Sequence, residues 1–211
     1  MKPASAPAAS WSHSSSTCGR LNMSSAIDGF DVREEGETER YHRLRLDAAD
    51  LLLIALQTAA RRMEILSLRW TDINFEWKTL RVTGTKTDRI RTIPLTDTLV
   101  ALFQRRREET RPSPLVFPLM ACRSMLKSET GLIYQEASKR AGVPYGRETQ
   151  GGWVLHDARH TAITAMLHAG NSLESVMAIS GHSARVMAMR YAHSNERTRR
   201  AAVSALEQFA A

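Results

Sequence analysis

The sequence predicts a mixed α+β fold, mostly α-helical with a small three-stranded antiparallel sheet. Two observations carry this. Most of the chain beyond residue 43 spaces its apolar residues as amphipathic helices do, and one stretch near residues 75–95 switches to a period of two. Leu51–Leu56 with its flanking alanines is apolar nearly all round and reads as a buried helix. A second helix is expected from Arg61 to Trp70, with Ile65, Leu66 and Leu68 as its apolar face. Phe75, Trp77, Leu80 and Val82 then read as strand, Thr83–Asp88 as a turn and Ile90–Leu95 as the returning strand. Helices resume at Asp97–Glu109, Ser124–Ala141, His156–Ala169, Leu173–Ile179, Ala184–Ala192 and Glu196–Phe209. Gly170 marks a helix stop, and Asn171 with Glu174 reads as the capping box of the next helix.

Domain organisation follows from composition. Residues 1–27 are rich in Ser, Ala and Pro without apolar periodicity, and the charged stretch Asp28–Arg40 reads as a solvated linker. We therefore expect a disordered segment and linker over residues 1–42 and one folded domain over residues 43–211, with structure beginning between Arg43 and Asp50. At 43% hydrophobic and 24% charged, the chain has a globular composition. Its longest apolar run, Leu51–Leu56, falls far short of the roughly 20 residues a membrane helix needs. Cys18 and Cys122 form no metal-type spacing and no disulfide framework, so a cytoplasmic, reducing setting is expected.

Charge is unevenly placed. Residues 1–48 hold 6 Lys/Arg against 7 Asp/Glu, and residues 49–211 hold 23 against 15, so the net charge of +7 comes from the later segment. Basic excess confined to one domain is what a phosphate-backbone binder carries, though many basic proteins bind no nucleic acid.

The segment richest in reactive side chains is Val154–Ala162. On a helix, His156, Arg159 and His160 share one face. Three readings stand: a solvated polar face near a helix start, a zinc pair at i and i+4, or a phosphate site where imidazole and guanidinium converge. The zinc motif requires Glu at the second position, where Asp157 stands, and Arg159 would set a cation beside the metal. Gly84-Thr-Lys-Thr is not a nucleotide-binding P-loop, because Lys86 does not directly follow a glycine and position 79 is Thr.

Five segments in order resemble the tyrosine recombinases of the phage-integrase family. Thr58-Ala-Ala-Arg-Arg-Met-Glu-Ile-Leu-Ser-Leu-Arg-Trp-Thr-Asp-Ile is similar to T-G-x-R-x-x-E-(I/L)-L-x-L-x-W-x-D-I. Gly84–Leu95 is similar to the family's β-hairpin lysine followed by R-x-(V/I)-P-L, and Leu115-Val-Phe-Pro follows. His156-Asp-Ala-Arg-His-Thr is similar to H-D-L-R-H-T, and Gly181-His-Ser precedes Tyr191, nine residues after His182. Each box alone is a weak signal; their common order and spacing over residues 49–200 is a strong one.

The resemblance implies the fold of the DNA breaking-rejoining catalytic domain and an active site of Arg61, Lys86, His156, Arg159, His182 and Tyr191, with Glu64 behind Arg61. It further implies site-specific cleavage and rejoining of double-stranded DNA through a 3′-phosphotyrosine, by dimers to tetramers on DNA, with no metal or other cofactor. A nucleoid-associated cytoplasmic protein follows. The alternative is a truncated integrase remnant that binds DNA without productive recombination, since only 48 residues precede the resemblance and most members carry a separate helical clamp domain there. Two departures stand out. Ala59 occupies the place of the family's Gly, and Ser180 that of the Leu usual before Gly-His. In the family a C-terminal helix docks on a neighbouring protomer, a role the resemblance implies for Asn195–Ala211.

Overall fold

A computed structural model describes residues 36–84, 89–109, 112–120 and 129–182. Along the chain these form α1 (Glu39–Thr58), α2 (Arg62–Leu66), a 3-10 turn at Trp70–Asp72, β1 (Ile73–Asn74), β2 (Thr79–Thr83) and β3 (Ile90–Pro94). Then follow α3 (Asp97–Glu109), α4 (Glu129–Arg140), α5 (Leu155–His168) and α6 (Leu173–Ser180). The expected helices at Ala184–Ala192 and Glu196–Phe209 lie outside the described residues. No described helix is long and apolar enough to cross a membrane.

The fold is organised around α1, against which α2, α3, α4 and α5 all pack. Leu44, Ala48, Leu51 and Ala55 repeat at three- and four-residue intervals and are buried along one face. The helix starts earlier than its apolar pattern, because Thr38 caps it by accepting a hydrogen bond from the Tyr41 N–H. The charged stretch expected to be linker is therefore partly structural. Glu37 pairs with Arg45 at 3.2 Å, and both side chains are buried.

Two other expectations need correction. The helix expected from Arg61 to Trp70 ends at Leu66, after which Arg69 bridges to Leu115 and Trp70 opens a 3-10 turn. Leu68, read as a helical apolar residue, is buried outside any helix. Phe75 and Trp77 belong to the turn between β1 and β2 rather than to a strand, and Trp77 is 74% exposed. Tertiary burial had no use for its aromatic bulk, which is why a propensity reading misplaced it. The sheet has the expected three antiparallel strands in the order β1-β2-β3.

Register decides which way β3 faces. Leu80 pairs with Ile93 and Val82 with Arg91, so these four side chains lie on one face. Leu80, Val82 and Ile93 are buried there, and Arg91 points into the protein while Ile90 is left exposed. Gly84 N–H donates to the Arg89 carbonyl at 2.9 Å, which closes the hairpin below its tip. Lys86 lies outside the described residues.

A buried polar network joins α1 to α3. The Arg106 guanidinium donates to Asp50 at 2.7 Å, to Asp47 at 2.8 Å and to the Val116 carbonyl at 2.9 Å, and it stacks over Phe117. Burial pushes the Asp47 carboxyl up despite the Arg106 charge beside it. Asp50 also accepts from Arg105 at 2.6 Å, whereas the buried Asp47 carboxylate accepts from Arg106. Arg106→Ala is therefore expected to cost about 3–5 kcal/mol of stability, read as a lower urea midpoint, because it strands Asp47 away from water and takes one of the two arginines from Asp50.

Candidate active site

The reversal between α1 and α2 carries the first functional side chain. Thr58, fully buried, donates its hydroxyl to the Ile54 carbonyl at 2.6 Å and accepts from the Ala60 N–H at 3.2 Å. Ala59 then takes the left-handed conformation, φ 53° and ψ 20°. Its carbonyl accepts a hydrogen bond from Arg159 Nη1. Arg61 follows in extended conformation at the start of α2. One turn thus delivers Arg61 and anchors Arg159, although the two lie 98 residues apart in sequence.

Glu64 sits behind them, 1% exposed. It accepts from the Arg61 N–H at 2.8 Å and from Arg61 Nη1 at 2.9 Å. Arg91 donates to the same carboxylate at 2.7 and 3.3 Å, and its Nε donates to the Ile179 carbonyl at 2.8 Å. Burial pushes the Glu64 carboxyl up, but the hydrogen bonds from Arg91 and Arg61 and the Arg91 charge outweigh it, leaving it below its ordinary range. The Arg61 side chain is 41% exposed, so Glu64 holds it while its outer face remains open.

Arg159 and His156 come from α5. Asp157 caps that helix by accepting from the Val154 N–H at 2.8 Å, which accounts for an acidic residue beside the basic ones. Arg159 is 3% exposed and His156 is exposed. The His156 ring meets His160 edge-on at 4.7 Å between centroids. Burial and the neighbouring His160 hold the His156 pKa below its usual value. The described residues contain no group of three or more His, Cys, Asp or Glu side chains that could hold a metal ion. A cavity of about 230 Å³ opens beside Arg159, lined also by His156, Arg62, Tyr145 and Arg147.

His182 enters from α6. Gly181 ends the helix at φ 70°, and a Cβ there would meet Arg91 Nη1 at 2.8 Å, so this position needs glycine for conformation and for space. Arg159 Nη2 lies 3.3 Å from His182 Nε2, and Ser180 Oγ lies 2.9 Å from Nδ1. Burial, with Arg159, Arg61, His160 and Arg91 nearby, pushes the His182 pKa down to about 4. The helix cap is Ser172 rather than the expected Asn171, whose side chain instead donates back to the Met166 carbonyl at 2.9 Å.

Among the site residues read from the sequence, Arg61, Glu64, Arg159 and His182 are thus brought together, and His156 stands one helical turn from His160 at the cavity mouth. Lys86 and Tyr191 lie outside the described residues. Arg91 was missed, although it lies in the matched R-x-I-P-L segment. Its inward direction depends on strand register, and only the alternation with Ile93 and Leu95 hinted at it.

The family model described as "Phage integrase family" matches residues 34–198, and the chain belongs to that family. A tyrosine recombinase XerC-like protein of Caldanaerobacter subterraneus subsp. tengcongensis is 28% identical over an alignment covering 72% of this chain and 46% of the relative. The chain therefore spans about half the length of that relative. Among solved structures, the catalytic domain of bacteriophage HP1 integrase matches with TM-score 0.61 and 21% identity, covering 88% of this chain and 92% of the domain. The Tn1549 transposon integrase in complex with circular intermediate DNA matches with TM-score 0.67 and 19% identity, covering 92% of this chain and 68% of that one. The shared fold is that of integrase catalytic domains.

Two outcomes test this geometry. Ala59 is fully buried against Ile163 and Val176, so its methyl returns roughly 0.8 kcal/mol. The left-handed turn costs it roughly 1–2 kcal/mol. Ala59→Gly is therefore expected to shift stability by less than about 1 kcal/mol, because relief of strain and loss of the methyl nearly cancel. Ala59→Val, branched at a left-handed position, is expected to cost about 2 kcal/mol or more. Denaturant titration of both variants checks this.

Acid sensitivity is the second outcome. The unfolded His182 ring titrates near 6.5 and the folded ring near 4, so the unfolded chain takes up the proton first as pH falls. The stabilisation is complete above the unfolded value and is lost between those two values; Glu64 adds a further loss below its ordinary 4.5. Urea midpoints measured against pH are expected to fall over that window, and His182→Gln is expected to flatten the upper part of the fall.

Proposed function

We propose that this chain is the catalytic domain of a site-specific DNA recombinase that cleaves and rejoins DNA through a 3′-phosphotyrosine. The observation that carries this reading is the turn at residues 58–61, which presents Arg61 and anchors Arg159, with His182 against the second guanidinium. A phosphodiester is anionic, and its pentacoordinate transition state gathers more charge on the non-bridging oxygens. Two guanidinium groups match that charge and geometry, and Glu64 keeps Arg61 in place without neutralising its open face.

In this reading the Tyr191 oxygen attacks phosphorus, the bond from phosphorus to the 5′ oxygen breaks, and the tyrosine proton passes to the solvent side through His156. Lys86 on the hairpin protonates the departing 5′ oxygen as general acid. His182 donates a hydrogen bond to the scissile phosphate. The phosphotyrosine conserves the bond energy, so rejoining needs no nucleotide or metal. The basic excess of residues 49–211 holds the DNA backbone, and two to four copies act together on DNA. A DNA-acting enzyme of this kind works in the cytoplasm, at the nucleoid.

Covalent trapping tests the proposal. Nicked duplexes carrying the ends of the element that encodes the chain are incubated with wild type and with Tyr191→Phe, without divalent metal. A protein–DNA adduct on a denaturing gel, absent in the Phe variant, is the expected result. Arg61→Ala is expected to slow adduct formation by about 10²–10³-fold. Duplex binding in a gel shift without any adduct would instead assign the chain to a binding-only remnant.

A further inference from the structure

Position 180 is where this chain departs from the leucine usual before Gly-His, and the departure is not idle. Ser180 is the last residue of α6 and is 0% exposed. Its hydroxyl oxygen lies 2.9 Å from His182 Nδ1. The histidine cannot drift from that contact easily, since Gly181 between them lies under the Arg91 guanidinium.

The other side of the ring constrains its proton. Arg159 Nη2 approaches at 3.3 Å from Nε2 and 3.5 Å from Nδ1, and a guanidinium can only donate. Among the described residues, the charged and titratable groups that act on the ring include Arg159 and His160 on α5, Arg61 at the start of α2 and Arg91 on β3. With that many cations the ring stays neutral, so it has one donor and one acceptor. Arg159 Nη2 lies nearly as close to Nδ1 as to Nε2, so this contact favours an accepting Nε2 without fixing it. The shorter 2.9 Å contact decides: Ser180 Oγ accepts from Nδ1, where the ring proton sits.

A phosphate oxygen can only accept. When the scissile phosphate takes the place of the ring as the partner of Arg159, His182 serves it only by donating from Nε2. Nδ1 must then become the acceptor. A serine hydroxyl can do both, by rotation about its C–O bond, and keeps its own proton throughout; the ring loses one proton to water at Nδ1 and gains one at Nε2. Leucine at this position can do neither.

We propose that Ser180 is a positioning residue that sets the tautomer of His182, accepting from Nδ1 in the free protein and donating to it when Nε2 engages a phosphate. The second half rests on the recombinase reading above; the first does not.

The test uses the full chain labelled with ¹⁵N-histidine, and two-bond ¹H–¹⁵N spectra that distinguish protonated from bare ring nitrogens. His182→Gln assigns the ring by loss of its signals. Wild type is expected to show a protonated Nδ1 and bare Nε2. Ser180→Ala, still unfolding in one cooperative transition, is expected to lose that preference and move toward the Nε2–H form, and Ser180→Thr to restore it. In the trapping assay, Ser180→Ala is expected to slow adduct formation about tenfold, the order of one neutral hydrogen bond, with duplex binding unchanged. A wild-type nitrogen pattern in Ser180→Ala overturns the proposal, even if adduct formation slows, and so does an Nε2–H ring in the free wild type. A tautomer that follows the hydroxyl in a wild type that forms no adduct supports the role of Ser180 and overturns the recombinase reading alone.

Discussion

Glu64 is a carboxylate placed where water cannot solvate it, and its guanidinium partners make that position tolerable. Desolvating one carboxylate costs several kcal/mol unless opposite charge and hydrogen bonds replace the lost water. Here Arg61 replaces it from the start of α2 and Arg91 replaces it from β3. Arg91 also donates to the last turn of α6 through the Ile179 carbonyl. A single buried charge therefore ties together a helix start, a strand and a helix end. The geometry of the site depends on this knot more than on any apolar contact.

The knot lies at the edge of a core arranged for a different purpose. Leu51, Ile54, Leu80, Ile93 and Leu99 fill the centre and supply non-directional stability. A second small cluster of Ala59, Ala162, Ile163 and Val176 seals the junction of the α1 end with α5 and α6. Arg159 lies at that junction, its backbone partner set by the left-handed turn at Ala59. Apolar packing brings the elements together, and hydrogen bonds with strict donor and acceptor roles orient the arginines. The Asp47–Asp50–Arg106 network does the same work in the middle of α1, where it ties that helix to α3.

The two departures from the family's pattern turn out to be of different kinds. Ala59 keeps the conformation that a glycine would adopt there and fills space that a glycine would leave, so its strain is offset locally. Ser180 brings a hydroxyl into a fully buried position and satisfies it on the nearest ring nitrogen, so its chemistry reaches the site. Both changes could be seen in the sequence. Only the contacts separate the neutral one from the consequential one.

How much was legible follows from the range of each interaction. Helix and strand periods are local, so the sequence by itself determined the buried α1 segment, the hairpin, α5 and α6. The matched motifs named Arg61, Glu64, His156, Arg159 and His182, because residue type and spacing carry the chemistry. Boundaries set by single contacts were not legible: the Thr38 cap, the end of α2 at Leu66 and the exposed Trp77 all depend on what each residue meets. The tertiary structure alone decided that Arg91 turns inward, since a one-residue change of register would send it to solvent. It also decided that Ser180 touches His182 and that Arg159 holds the Ala59 carbonyl 100 residues away. Periodicity is written into neighbours along the chain, whereas the partner of a buried polar atom is chosen by whatever the fold brings beside it.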